Sequence, residues 1–200
     1  MSEAKNLFYS RIHRSLAPLF QLLFPLEISG REHVTDEPVI FCPNHSSALD
    51  PLMMVCALPH DYSLRIMAKK QLMDVPVLGA FLRKMGVFGV DRGNSDINSI
   101  KTAIRSLRDR SSLLIFPEGT RVKEGKAVEV KGGVAMIAIR SDVKLQPVYI
   151  ATKKRIFRKT KIIFGAPYAP VYTGKKGTAE EYQTNAEEIM RQTYRLGEEQ

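Results

Sequence analysis

Short apolar runs alternate with stretches of helical period along most of this chain, and no other feature restricts its fold as much. The runs 39–42, 64–68, 87–90, 113–116, 145–150 and 161–164 read as strands, with 39–42 apolar enough to be buried. Segments 51–58, 75–84, 95–108 and 134–139 read as helices between them, and 179–196 as a polar closing helix. In 95–108 the apolar residues Ile97, Ile100, Ile104 and Leu107 fall three or four apart, and Ser95 is a plausible N-cap. Strands alternating with helices imply an α/β fold: a single domain with a largely parallel sheet flanked by helices. At 200 residues and 44% hydrophobic content, the chain can bury a sizeable core without disulfide or metal staples. There are no internal repeats and no low-complexity segment.

Ahead of this domain lies a different pattern. Segment 4–24 carries Phe8, Ile12, Leu16, Leu19, Phe20 and Leu23 at spacings that place them on one helical face, with Lys5, Arg11 and Arg14 beside it. Pro18 is expected to bend or divide the helix. Two readings stand. The stripe inserts between lipid headgroups, or it packs on the chain's own domain. The first gives residues 1–26 as an N-terminal amphipathic, membrane-contacting helical segment and 27–200 as the α/β domain. The apolar run from 15 to 26 is too short to span a bilayer, which takes about 20 residues, and no signal peptide is evident. Contact with a membrane is therefore expected to be peripheral, on its cytoplasmic face. Net charge is +9. The last segment, 174–200, carries −2 and the rest +11, so the basic body suits an anionic partner. Cys42 and Cys56 both sit in apolar runs and read as buried thiols in a reducing compartment. The scattered histidines offer no metal-ligand spacing, and no metal or cofactor is expected.

Five blocks carry chemistry. In Asn44–Asp50, an apolar strand ends at Pro43 and His45 precedes Asp50 by five positions, close enough for the chain to fold back and join them. An aspartate accepting from one imidazole nitrogen fixes the tautomer and raises the basicity of the other, which is what deprotonating a hydroxyl requires. The same pair could merely stiffen a loop. The second block, 89–94, offers Arg92 to a phosphate, with Gly89 and Gly93 allowing close backbone approach; otherwise it is a turn with a surface arginine. The third, 116–121, follows a strand and turns Glu118, Thr120 and Arg121 toward the edge that holds His45. The fourth is Lys131-Gly132-Gly133, where a lysine and exposed N–H groups could bind an anion. The fifth is 146–149, a strand with Pro147 inside, which suggests an edge or a bulge.

In this order the blocks resemble the glycerolipid acyltransferase family, specifically the 1-acylglycerol-3-phosphate acyltransferases. That family's pattern runs N-H-x-S-x-x-D, V-D-R, F-P-E-G-T-R, K-x-G and a V-P-V-like strand, and all occur here between about residues 30 and 167. Gln146 is the one small departure. The resemblance implies that 27–200 is an acyltransferase domain in which His45 takes the proton from an acceptor hydroxyl and Asp50 orients His45. The hydroxyl oxygen then attacks a fatty acyl thioester, carried by acyl carrier protein or coenzyme A, with no acyl-enzyme. Arg92, Arg121 and Lys131 are expected to bind the phosphate of a lysophosphatidic acid acceptor. Glu118 is expected to hold the glycerol or order the arginines, with Gly119 and Thr120 in the same substrate-facing block. The product is phosphatidic acid.

Other readings have weaker support. A hydrolase using Ser46 or Ser47 requires a serine to point at the histidine beside it in sequence. The basic run Lys153, Lys154, Arg155, Arg158, Lys159 and Lys161 lacks a nucleic-acid-binding motif and reads better as an anion-facing edge, so no nucleic acid is expected. An acyltransferase acting on glycerol-3-phosphate or another lysolipid is the serious alternative.

Overall fold

The computed structural model describes residues 7–91, 96–122 and 130–199. A seven-stranded sheet forms the centre, in the order β1-β7-β6-β2-β5-β3-β4. The strands are β1 (Leu26–Ser29), β2 (Val39–Pro43), β3 (Leu64–Lys69), β4 (Val87–Val90), β5 (Ser112–Leu114), β6 (Lys144–Ile150) and β7 (Thr160–Phe164). All pairings are parallel except β6 with β7. The β7–β1 pair therefore runs opposite to the other five strands.

Helices cover both faces, which is why the strands read as apolar runs. Along β2 the side chains alternate. Val39 and Phe41 join one cluster with α2 (Asp50–Ala57), while Ile40 and Cys42 join a second. That second cluster holds Ala103 and Leu107 of α4 (Ile97–Arg108), Ile137 and Ala138 of α5 (Gly133–Ser141), and Ala186, Ile189 and Met190 of α6 (Ala179–Glu198). Helix α4 is capped by Asp96, whose carboxylate accepts the Ser99 N–H. The cap expected at Ser95 lies outside the described residues. Helix α6 opens with a complete capping box between Thr178 and Glu181. The helix expected over 75–84 forms only as α3 (Leu78–Lys84).

Helix α1 (Leu7–Leu23) runs unbroken through Pro18, so the expected division does not occur. It lies on α2 and shares its core: Tyr9 and Ala17 are buried, and Phe8, Ile12, Phe20 and Phe24 pack against the same cluster. Polar groups of α1 also serve the end of α2, where helical carbonyls lack partners. His13 Nε2 lies 3.0 Å from Val55 O, and Gln21 Nε2 donates to Cys56 O at 3.3 Å. The single stripe read from sequence is thus covered only in part. Phe8, Ile12 and Phe20 point inward, while Leu16, Leu19 and Leu23, with Leu22, stand outward and exposed. No helix among the described residues is long and apolar enough to cross a membrane.

Pro147 does not mark an edge. Strand β6 lies between β7 and β2, and the proline sits where the β7 ladder has ended at Val148–Phe164 and before the isolated bridge of Leu145 to Tyr168. Its missing N–H therefore falls in a gap of that ladder, and its carbonyl accepts the Gly165 N–H at 2.9 Å. Gln146 is fully buried and donates its amide to His33 O and Gly165 O, both at 3.1 Å. The departure from the family pattern at this position is a packing feature.

Candidate active site

The loops that follow β2, β5 and β6 meet at the carboxyl edge of the parallel strands, the edge where open α/β sheets place their sites. Asn44 closes β2 and is almost fully buried. Its amide donates to Ile150 O at 2.9 Å and its oxygen accepts Ile150 N–H at 2.7 Å, clamping the ends of β2 and β6 together. The chain then turns back on Asp50, the first residue of α2. His45 Nδ1 lies 2.9 Å from Asp50 Oδ2, and that same oxygen accepts the N–H groups of Ser46 and Ser47 at 2.7 Å each.

Asp50 is completely buried. On its other side the Lys154 ammonium stands 2.8 Å from Oδ1. Burial by itself pushes this carboxyl up. The bonds from His45 and Lys154, the lysine charge and the Ser47 N–H outweigh it and hold Asp50 below the ordinary carboxylate value. With Nδ1 engaged, the His45 ring turns Nε2 away from the aspartate, and 14% of the side chain stays exposed. Ser46 Oγ accepts from Lys154 and Ser47 Oγ accepts from Leu49 N–H, and neither hydroxyl is bonded to the imidazole.

The 116–122 loop holds His45 from three sides. The Phe116 ring lies against the imidazole with centroids 4.1 Å apart. Glu118 Oε2 accepts the His45 backbone N–H at 2.8 Å, and Val122 N–H donates to the His45 carbonyl at 2.8 Å. Gly119 turns the loop at φ +64°, where nothing would meet a side chain but the left-handed backbone favours glycine. The other oxygen of Glu118 accepts the Tyr194 hydroxyl of α6. Glu118 is 4% exposed. Burial raises its carboxyl, and the bonds from Tyr194 and His45 oppose the rise only in part. Both oxygens face protein donors, so this carboxylate holds the His45 backbone in place. No described arginine is bonded to either oxygen.

The remaining expected residues are distributed unevenly. Thr120 and Arg121 are exposed in the same loop, and Lys131 is exposed beside it, with its N–H 3.4 Å from Pro117 O. Arg92 and Gly93 lie outside the described residues. Gly89 does not admit a ligand: a Cβ there would meet Lys70 Cα at 2.9 Å and Met73 Cγ at 3.0 Å, so it serves close packing between chain segments. Gly132 likewise faces Tyr182 and Gln183 of α6 at 3.1 Å. Sequence reasoning missed the parts played by Lys154, Tyr194 and Asn44. Lys154 was visible only as one charge in a basic run, Tyr194 had no local signal, and Asn44 showed itself only through the motif.

The fold and site define an α/β domain that carries a His–Asp pair, with the imidazole partly exposed, at the carboxyl edge of its parallel strands. A family model described as Acyltransferase matches residues 25–151. A 1-acyl-sn-glycerol-3-phosphate acyltransferase of Bacillus subtilis (strain 168) is 32% identical over 166 residues, covering 80% of this chain and 81% of that protein. One from Streptococcus pneumoniae is 32% identical over 210 aligned positions, 98% of this chain and 76% of its own length. One from Limnanthes alba is 30% identical over 154 residues, 73% of this chain and 54% of its own length. The chain thus spans about half the length of the plant relatives it matches. The crystal structure of the 1-acyl-sn-glycerophosphate acyltransferase PlsC from Thermotoga maritima shares the fold at a TM-score of 0.69 and 22% identity, over 96% of this chain and 79% of that one. The chain belongs to the PlsC-like 1-acylglycerol-3-phosphate acyltransferase family.

Proposed function

We propose that this protein transfers a fatty acyl group from a thioester to the sn-2 hydroxyl of 1-acylglycerol-3-phosphate, forming phosphatidic acid at a membrane surface. The observation that carries the reading is the His45–Asp50 pair at 2.9 Å, which leaves the far imidazole nitrogen uncommitted to the aspartate on a side chain 14% exposed. His45 Nε2 accepts the proton of the acceptor hydroxyl as its oxygen bonds to the thioester carbonyl carbon. Asp50 fixes the tautomer and stabilises the imidazolium that forms. The tetrahedral oxyanion then collapses, the carbon–sulfur bond breaks, and the departing thiolate takes the proton back from His45. Both serine hydroxyls are engaged elsewhere, which supports direct transfer over a serine acyl-enzyme. Arg121 and Lys131, exposed beside the loop that grips His45, bind the acceptor phosphate together with Arg92. The donor thiol is borne by acyl carrier protein or coenzyme A.

Contact with an anionic bilayer, at its cytoplasmic face, is supported by one composite surface. From Phe164 back to Thr160, which pairs with Leu26, β7 and β1 extend past the end of β2 by about four residues, or about 13 Å. Leu19, Leu22 and Leu23 of α1 stand exposed beside this overhang, and so do Ile156 and Phe157 of the β6–β7 loop. Phe157 N–H donates to Leu23 O at 2.7 Å, which joins the two groups. Phe157 holds φ at +59°, a costly conformation for a residue with a side chain, and it keeps the aromatic ring outward. Lys153, Arg155 and Arg158 supply cations around them.

The test is an assay of purified protein that crosses acyl carrier protein and coenzyme A thioesters with three acceptors: lysophosphatidic acid, glycerol-3-phosphate and lysophosphatidylcholine. Phosphatidic acid should form fastest from the first, and His45→Ala should lose about 100- to 10,000-fold in rate. Faster turnover of another acceptor would reassign the substrate. Thioester hydrolysis equal to transfer would point to a hydrolase.

A further inference from the structure

Lys154 is the most deeply enclosed cation described at the active-site edge, with its side chain 4% exposed. Its ammonium has three partners: Asp50 Oδ1 at 2.8 Å, Ser46 Oγ at 2.8 Å and Ala151 O at 2.8 Å. Its protons go to Ser46 and Ala151 and its charge faces Asp50, so Lys154 is committed within the protein. Its neighbours Lys153, Arg155 and Arg158 are exposed, whereas the Lys154 side chain turns inward.

The charge balance around Asp50 gives that inward turn a purpose. Asp50 is fully buried and accepts three N–H groups at Oδ2. With Lys154 present, the buried carboxylate is answered by a buried ammonium, and the imidazole can remain neutral. Without the ammonium, a buried carboxylate has one adjacent group able to cancel it, namely His45, by taking up a proton. A histidine already carrying that proton has no lone pair at Nε2 for the acceptor hydroxyl.

We propose that Lys154 is a positioning residue that cancels the Asp50 charge, so that His45 rests without the extra proton and stays available as a base. The inference rests on the reading of His45 as the base. The other groups facing His45 do not substitute for Lys154. Glu118 is anionic when ionised and touches the His45 backbone, Tyr194 reaches only Glu118, Phe116 is apolar, and Arg121 and Lys131 are exposed. Lys154 also ties the loop bearing Ile156 and Phe157 to the catalytic loop through Ser46.

The experiment compares kcat/KM from about pH 5 to about pH 9 for wild type, Lys154→Met and Lys154→Arg. Removing an opposite charge a few ångströms from a titrating pair moves its titration by about one unit or more. The acid limb of Lys154→Met should therefore lie about one unit higher, giving about a tenfold loss on that limb and recovery toward wild type in alkaline buffer. Lys154→Arg, which keeps the cation, should leave the limb in place. A pH-independent loss in Lys154→Met, with the limb unmoved, would overturn the proposal and leave Lys154 a purely structural tie. A second readout keeps the test independent of activity. NMR titration of histidine-labelled protein, with the His45 signal assigned by its absence in His45→Gln, should show the His45 midpoint raised in Lys154→Gln. An unmoved midpoint overturns the charge role even where Lys154→Met folds poorly. A raised midpoint together with an active His45→Ala would uphold it while removing His45 as the base.

Discussion

Replacing Asp50 and Lys154 singly and together measures how far the buried pair holds the site together. Asp50→Asn leaves a 4%-exposed ammonium without its counter-charge, and Lys154→Met leaves a fully buried carboxylate with only N–H donors. Breaking a buried pair from one side costs about 3–5 kcal/mol. The three N–H bonds to Oδ2 soften the second case, so we expect about 4 kcal/mol for Asp50→Asn and about 3 for Lys154→Met. The double variant retains an oxygen for Ser46 and Ser47, fills the lysine stem with methionine and buries no charge. Its loss should be about 2–3 kcal/mol, well short of the sum of about 7, for a coupling of about 4 kcal/mol. Domains have about 5–15 kcal/mol to lose, so the single variants should stay folded. Urea unfolding at neutral pH, followed by far-ultraviolet circular dichroism and fitted with a common m-value, gives all four corners. Losses that add to within about 0.5 kcal/mol would refute the reasoning, because the two groups would then be independent.

The sign of the pH dependence follows from the same pair. Asp50 is held below its ordinary value, so its ionised form contributes stability that is complete above about pH 4 and lost as pH falls further; acid unfolding of Asp50→Asn should be correspondingly shallower. Glu118→Gln and Tyr194→Phe should lower kcat with little change in KM for the acceptor, since both act on the His45 backbone; a rise in acceptor KM alone would make Glu118 a substrate ligand. Arg121→Ala and Lys131→Ala should each raise acceptor KM by about 10- to 100-fold, as expected for a charge-assisted bond of about 1.5–3 kcal/mol, and leave donor KM unchanged. Leu22→Glu with Phe157→Glu should abolish co-sedimentation with anionic vesicles without lowering the melting temperature, because two exposed apolar groups worth about 1.5–3 kcal/mol each are removed. Phe20→Glu should instead destabilise the fold, since Phe20 packs inward, and equal vesicle binding by all three proteins would discard the composite surface.

The apolar runs that became β2, β3 and β4 were legible because strands covered on both faces need little polar patterning, and the motif spacing announced the His45–Asp50 pair. Strand β1 was not legible. Leu26–Ser29 alternates half-buried and exposed side chains over four residues and is held by a partner at Thr160–Phe164 that local patterning cannot reveal. The α1 stripe was read as one surface because its residues share one arc of the helix. Which of them are covered depends on where neighbouring elements such as α2 lie, and spacing does not reveal that. Pro147 suggested an edge because a proline costs a ladder bond, and the interruption beyond Phe164 that makes it harmless lies on another strand. Lys154 is the instructive miss. A lysine between Lys153 and Arg155 reads as surface charge, and its inward turn depends on a carboxylate about a hundred positions earlier.

The pairing of Leu26 with Thr160 also sets an order of events during synthesis. Helix α1 is synthesised ahead of the sheet, and the strand that anchors its far end follows about 130 residues later, a delay of roughly 7–30 s at 5–20 residues per second. Through that interval β1 has no partner, and the apolar side chains of α1 are uncovered until α2 arrives to take some of them. The outward leucines are thus displayed well before the Phe157 that joins them has been made. A lipid surface close to the ribosome meets the helix before the sheet does.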